Sequence, residues 1–268
     1  MLCIEFGIDG LFCGGEHFGN FRGNPELCRK SAGQVGGYWF LRKIMQMTTR
    51  TPDLLALLRD HADKHGDQLA HVLPDRDITY RRLWSRIERG SARLFGEWGV
   101  REGDLVAYVD RGHPDSIVLY FALLRLGAIL LPLESVSTSL TRPLLAERQP
   151  KLLIQDDEGS MTGLTMGSTT GSMTYPLEAL LASWSHHDPV LIDDPMSRPS
   201  LFIRDTTDDW QLTSLDQLCA SLPATPRTSF IDQHIFTTDL LLNIVLPSLR
   251  DHQLMQFSAT DKVPGTGS

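Results

Sequence analysis

Residues 117 to 133 form the longest apolar run of the chain, and it is broken at telling places: Arg125 interrupts it, Gly127 follows, and Pro132 stands near its end. A membrane span needs about 20 largely uninterrupted apolar residues, so this run is too short and too broken to be one. It reads instead as a buried helix over 114–126, stopped by Gly127, and a buried strand over 128–133. A second apolar strand over 105–109 precedes the helix. Strands apolar on both faces and joined by helices belong to a parallel sheet covered by helices, so the expected fold class is α/β.

The same alternation extends to both sides. Thr51, Pro52 and Asp53 open a helix through Lys64, with Leu54, Leu57, Leu58 and His61 on one face and Gly66 as a stop signal. Short strands are expected over 69–73 and 78–80, joined by the turn Pro74-Asp75-Arg76-Asp77. A long helix over 81–98 presents Leu83, Ile87, Leu94 and Trp98 at helical spacing. Beyond 133 come a short helix over 142–147, a strand over 151–155 and a Gly/Ser/Thr/Met-rich loop over 156–175. Helices are then expected over 177–184, 212–222 and 238–249, with strands over 200–204 and 229–231.

Composition removes several functional classes. Lys plus Arg number 25 against 33 Asp plus Glu, a formal charge of −8, and a field of that sign repels nucleic-acid phosphates and anionic lipid. Neither a nucleic-acid partner nor a membrane span is expected. Three of the four cysteines (Cys3, Cys13, Cys28) fall in the first 47 residues, which lack any periodic pattern. With His17 they do not make the close cysteine pair of a structural zinc site. No basic-then-apolar leader precedes them, so the expected setting is reducing and cytoplasmic. The composition changes near Met47. The first 47 residues read as an irregular extension, either a real one or residues upstream of a natural start at Met45 or Met47.

Four ordered segments carry a family resemblance. Asp77-Ile78-Thr79-Tyr80-Arg81-Arg82-Leu83 is like "LTYAEL". Trp98-Gly99-Val100-Arg101-Glu102-Gly103-Asp104-Leu105-Val106-Ala107 is like "LGVKPGDRVA". The segment from Tyr120 to Leu133 is like "ALLAALKAGAVYVPL", and 151–156 is like "KVLITD". Together they resemble the opening of the adenylate-forming superfamily, which contains acyl-CoA synthetases, aryl-CoA ligases and peptide-synthetase adenylation domains. The resemblance implies part of that family's large N-terminal domain over 48–257, followed by a flexible tail over 258–268. It also implies ATP and Mg2+ as cofactors and a carboxylic acid, acyl or aryl, as ligand.

The family's chemistry starts at a phosphate loop, T-S-G-T-T-G-x-P-K, whose hydroxyls and backbone N–H groups hold the ATP phosphates. Residues 167–174 have a similar composition but come too early. The resemblance instead puts the loop after the strand over 200–204, where Thr206 and Thr207 keep the pattern. Asp205 and Asp208 stand in place of the glycines, Trp210 of the proline and Gln211 of the lysine. A carboxylate about 4 Å from a like charge costs on the order of 1 to 4 kcal/mol. The loop is therefore read as degenerate, with Asp205 and Asp208 able to serve ATP only through a metal. His234 and Phe236 resemble the "PLFHxFG" stretch at the family's acyl pocket. Neither "YGxTE" nor "TGD" occurs, so the expectation is a truncated domain: an incomplete ligase, one completed by a second protein, a gene fragment, or a non-catalytic module binding an acyl or aryl group or a partner.

Two further clusters are weighed. His61 and His65 are four apart on a helix and could meet one metal, but the glutamate of the zinc-protease motif is missing, which favours a polar helix face. Ser185, His186, His187 and Asp188 adjoin in sequence, whereas catalytic triads are assembled from distant positions. No metal site and no catalytic residue is assigned.

Overall fold

The computed structural model describes residues 53–135, 141–155, 173–182, 188–204, 209–223, 230–231 and 234–257. The chain divides into two compact units, Met1–Arg50 and Thr51–Ser268, and all described residues belong to the second. The segments expected as an N-terminal extension (1–47) and a tail (258–268) lie outside them.

The frame is built by burial. β3 (Leu105–Val109), β4 (Ile129–Leu133) and β5 (Leu152–Gln155) pair in parallel, with Ala107 opposite both Leu131 and Leu153. Alternate residues of these strands face opposite sides, and both sides are covered. Val106, Tyr108, Leu130 and Ile154 join the larger apolar core, while Ala107, Val109, Leu131 and Leu153 join a second one with Leu145 of α4 (Thr141–Arg148). The larger core takes in α1 (Leu54–Lys64), α2 (Tyr80–Gly96) and α3 (Asp115–Leu126). α3 is buried nearly all round, as a helix without a polar face must be. Gly127 then ends it with φ of 68°. Where α2 crosses α3, a Cβ on Gly90 would come 3.3 Å from that of Ala122, so the missing side chain permits the close approach.

Polar residues set the helix starts. Asp53 and Thr79 accept hydrogen bonds from Ala56 N and Arg82 N at 3.0 and 3.3 Å, capping α1 and α2. The one ion pair buried on both sides among those described joins Arg86 of α2 to Asp115 at the start of α3.

The six-stranded sheet has the order β6-β5-β3-β4-β7-β8, where β6 is Met173–Pro176, β7 is Pro199–Arg204 and β8 is Trp210–Ser214. All neighbours are parallel except β7 and β8. α5 (Leu215–Ala220) follows. A second sheet, β2-β1-β10-β9, combines β1 (Leu69–Val72), β2 (Asp77–Thr79), β9 (Phe230–Ile231) and β10 (Met255–Phe257). Before β10 the chain is helical through α6 (Thr238–Leu240), a π-helical stretch Leu241–Val245 and α7 (Leu246–Arg250). This is the expected α/β frame of parallel strands and covering helices. Among the described residues no helix is long and apolar enough to cross a membrane.

Four local expectations are corrected. The helix expected over 212–222 is a strand followed by a short helix, because Ser214 and Gln217 form a capping box that starts the helix at Leu215. Leu212 shares the spacing of Leu215 and Leu218 but is exposed on an edge strand. Met173–Pro176, expected within a loop, is an edge strand whose half-exposed residues carry no apolar alternation. The helix expected from 177 is only a 3-10 turn, Leu177–Leu181. β10 was not foreseen, since three residues are too few to show a period.

Candidate functional site

Adjacent strands β4 and β7 send the chain in opposite directions: β4 leads back across the sheet to β5, and β7 turns outward to β8. Open parallel sheets leave a crevice beyond the carboxyl ends of such strands. Here it is a cleft of about 1020 Å3. Pro132, Leu133 and Ile203 contribute from the strand ends, Leu144 from α4, Trp210 from β8, and Phe236 from the segment before α6.

Asp110 organises one wall. It follows β3 directly, and its amide donates to the Leu133 carbonyl at 2.8 Å, extending the ladder by one residue. Its carboxylate is buried and accepts from Gly112 N and Phe236 N, both at 3.0 Å. The Asp110 carbonyl accepts from Nδ1 of His234. Burial pushes the Asp110 carboxyl above the usual carboxylate range, opposed by the amides of Phe236 and Gly112 and by His234. The Phe236 ring meets Tyr108 and Tyr120 edge-on, with centroids 6.5 and 5.9 Å apart. Tyr120 is itself fixed by a 3.1 Å hydrogen bond with Ser200. His234 and Phe236, both expected at an acyl pocket, are thus brought together on the cleft wall by one buried aspartate.

The rim is charged. Glu134 and Glu147 line the cleft with Arg204, which reaches Glu134 at 3.6 Å, while Glu147 lies 3.4 Å from Arg148. Thr238 donates to the Arg204 carbonyl at 3.2 Å, tying α6 to β7. Asp205, Thr206, Thr207 and Asp208 lie outside the described residues, as do 167–172 and 183–187. The residues on either side of the first group are described: Arg204 and Trp210 pair across the ladder and both line the cleft, as does Gln211. Sequence reasoning missed Asp110. Its signal was an acid placed directly after an apolar parallel strand and before the turn Arg111-Gly112-His113-Pro114, the position from which parallel sheets present functional side chains.

Mg2+ takes near-octahedral oxygen ligands. Both Asp110 oxygens are engaged by amides, and Glu134 faces Arg204. Among the described residues no group of three or more His, Cys, Asp or Glu is arranged to hold a metal. The described donors therefore do not fit Mg2+, and no chemical step is routed through it.

Residues 58–176 match the family described as AMP-binding enzyme. Phosphinothricin tripeptide synthetase PhsC from Streptomyces viridochromogenes is 31% identical over 148 residues, 55% of this chain and 13% of that one. Among solved structures, apo MatB from Rhodopseudomonas palustris superposes with a TM-score of 0.63 at 20% identity, covering 77% of this chain and 45% of that one. The N-terminal subdomain of Klebsiella oxytoca NpsA, solved in complex with 3-hydroxybenzoyl-AMSN, superposes with a TM-score of 0.58 at 16% identity, covering 76% and 53%. The chain therefore spans about half the length of these structures and much less of the curated relative. The structural likenesses establish the shared fold.

Proposed function

We propose, from the premise that this chain belongs to the adenylate-forming superfamily through its AMP-binding region at 58–176, that it binds a carboxylic acid, acyl or aryl, without activating it with ATP. The observation that carries this reading is the lining of the cleft. Its interior is apolar and aromatic, through Leu133, Leu144, Ile203, Trp210 and Phe236, and suits an acyl or aryl body. A single carboxylate has the Arg204 guanidinium to meet, and the His234 ring lines the same cleft. A triphosphate would also meet Glu134 and Glu147, and in the sequence Asp205 and Asp208 follow Arg204 within four residues. Each carboxylate about 4 Å from a phosphate charge costs on the order of 1 to 4 kcal/mol. In this reading Asp110 positions His234 and Phe236, Thr206 and Thr207 are remnants of the phosphate loop, and residues 48–257 form the binding domain.

The adenylate analogue bound by the Klebsiella NpsA subdomain carries a 3-hydroxybenzoyl group, which makes 3-hydroxybenzoate a suitable probe. Titration followed by tryptophan fluorescence is expected to show saturable binding, with the signal change lost in Trp210→Phe and the affinity reduced at least tenfold in His234→Ala. Binding untouched by both substitutions would place the acid elsewhere and overturn the assignment.

A further inference from the structure

Three imidazoles from two separate stretches of chain meet outside the cleft. His61 lies in α1, His65 caps its carboxyl end, and His252 stands in the turn between α7 and β10. Ring centroids are 4.3 Å apart for His61 and His252, 4.9 Å for His65 and His252, and 6.4 Å for His61 and His65. The Tyr80 ring lies 4.5 Å from His252 and 5.2 Å from His61. His61 Nδ1, His252 Nε2 and the Tyr80 hydroxyl are buried and find no hydrogen-bond partner among the described residues. His252 holds a φ of 59°, a left-handed conformation uncommon outside Gly but one that Asn, Asp and His adopt more often than other residues.

Three carboxylates adjoining the cluster in sequence already face cations. On α1, Asp60 pairs with Lys64 at 2.8 Å, while Arg59 and Asp63, two residues either side of His61, do not share its face. Near α2, Asp67 pairs with Arg81 at 3.5 Å, and burial raises the Tyr80 hydroxyl far above neutrality, so it stays uncharged. In the turn, Asp251 pairs with Arg250 at 2.6 Å. A second imidazolium would therefore meet a first one with no carboxylate between them. Burial, then His252 and His65, disfavour the charged form of His61, with Asp60 opposing; burial and His65 do the same to His252.

We propose that the His61–His65–His252 cluster is a proton-operated clasp: with neutral rings it holds the turn before β10 against α1, and with more than one ring protonated it releases that turn. Because the clasped state disfavours the proton, the released state binds protons first, so the clasp is complete above about pH 6.5 and weakens as the pH falls below it. β10 lies between β1 and β9, and Ile231 of β9 is three residues before His234, so release reaches the strand that leads into the cleft.

Native-state hydrogen exchange on the full chain tests this. From pH 7.5 to 5.5, after correction for intrinsic rates, the amides of Gln256 and Phe257 are expected to lose protection at least tenfold, while those of α3 change much less. His71, buried against Phe257 and with its pKa pushed down to about 4, adds a pH dependence of its own, but one shared by the variants. In His252→Asn, which tolerates the positive φ, the differential loss at β10 is expected to shrink at least threefold, leaving only the part that His71 supplies. His65→Gln, at an exposed position, is expected to reduce it at least threefold. Equal loss at β10 and α3 in the native chain, or an undiminished differential in either folded variant, would overturn the clasp.

Discussion

The stretch from β3 to β4 and the β7–β8 pair border the same cleft, yet they are built on opposite terms. From Leu105 to Leu133 nearly every strand and helix residue is buried, and β3 has parallel partners on both sides. β8 has one partner, lies at the sheet edge and leaves Leu212 43% exposed. Burial leaves the inner unit little freedom in shape or sequence, because each lost methylene costs about 0.8 kcal/mol of transfer free energy and a void besides. The outer pair can vary at small cost in stability. Arg204, Trp210 and Gln211, which line the cleft, lie there. The buried frame can thus persist while the rim of the cleft changes.

Substitution in the inner unit is expected to give the largest effect. Phe121 of α3 is fully buried, and Phe121→Ala should destabilise the chain by about 3 to 5 kcal/mol, read from denaturant unfolding. A smaller loss would mean that the inner unit is less tightly packed than its burial implies. Asp110 joins the two regions, and Asp110→Ala strands the half-buried amide of Gly112 and the buried amide of Phe236. A loss of about 2 to 4 kcal/mol is expected, with changes in amide chemical shift concentrated at 234–238.

The next effect is set by pH. Burial, with the Arg86 charge adding to it and Asp115 opposing, lowers the pKa of His71 to about 4. The unfolded chain takes up that proton near pH 6.5, so the stability is present above this value and is lost as the pH falls toward 4. Between pH 7.5 and 5.5 the expected loss from His71 is about 1 kcal/mol, and His71→Gln should remove it from urea midpoints measured at the two pH values. At the rim, Leu212→Ser should change stability by less than about 0.5 kcal/mol. A loss there as large as that of Phe121→Ala would erase the contrast between the two regions.

Legibility in the sequence followed the same division. Leu105–Val109 was read to the residue, and α3 and β4 to within one, because a fully apolar strand or helix has few alternatives once Gly127 marks the break. At the edges the pattern misled: Leu212 repeats the helical spacing but belongs to a strand, and Met173–Pro176 has the composition of a loop. His234 and Phe236 were singled out through a family likeness, and both line the cleft. Their anchor Asp110 was not, since a buried carboxylate between a strand and a turn looks like any loop aspartate until the amides of Gly112 and Phe236 are seen to converge on it.

The account rests on a cleft that accepts an acid and rejects the nucleotide. Isothermal titration of the purified chain with Mg2+-ATP, repeated on the variant carrying Asp205→Gly and Asp208→Gly, tests this most directly. No binding up to millimolar nucleotide is expected from the native chain, with measurable affinity appearing only once the carboxylates are removed. Micromolar binding by the native chain that is lost on removing Asp205 and Asp208 would show those carboxylates organising a metal, and would contradict the account.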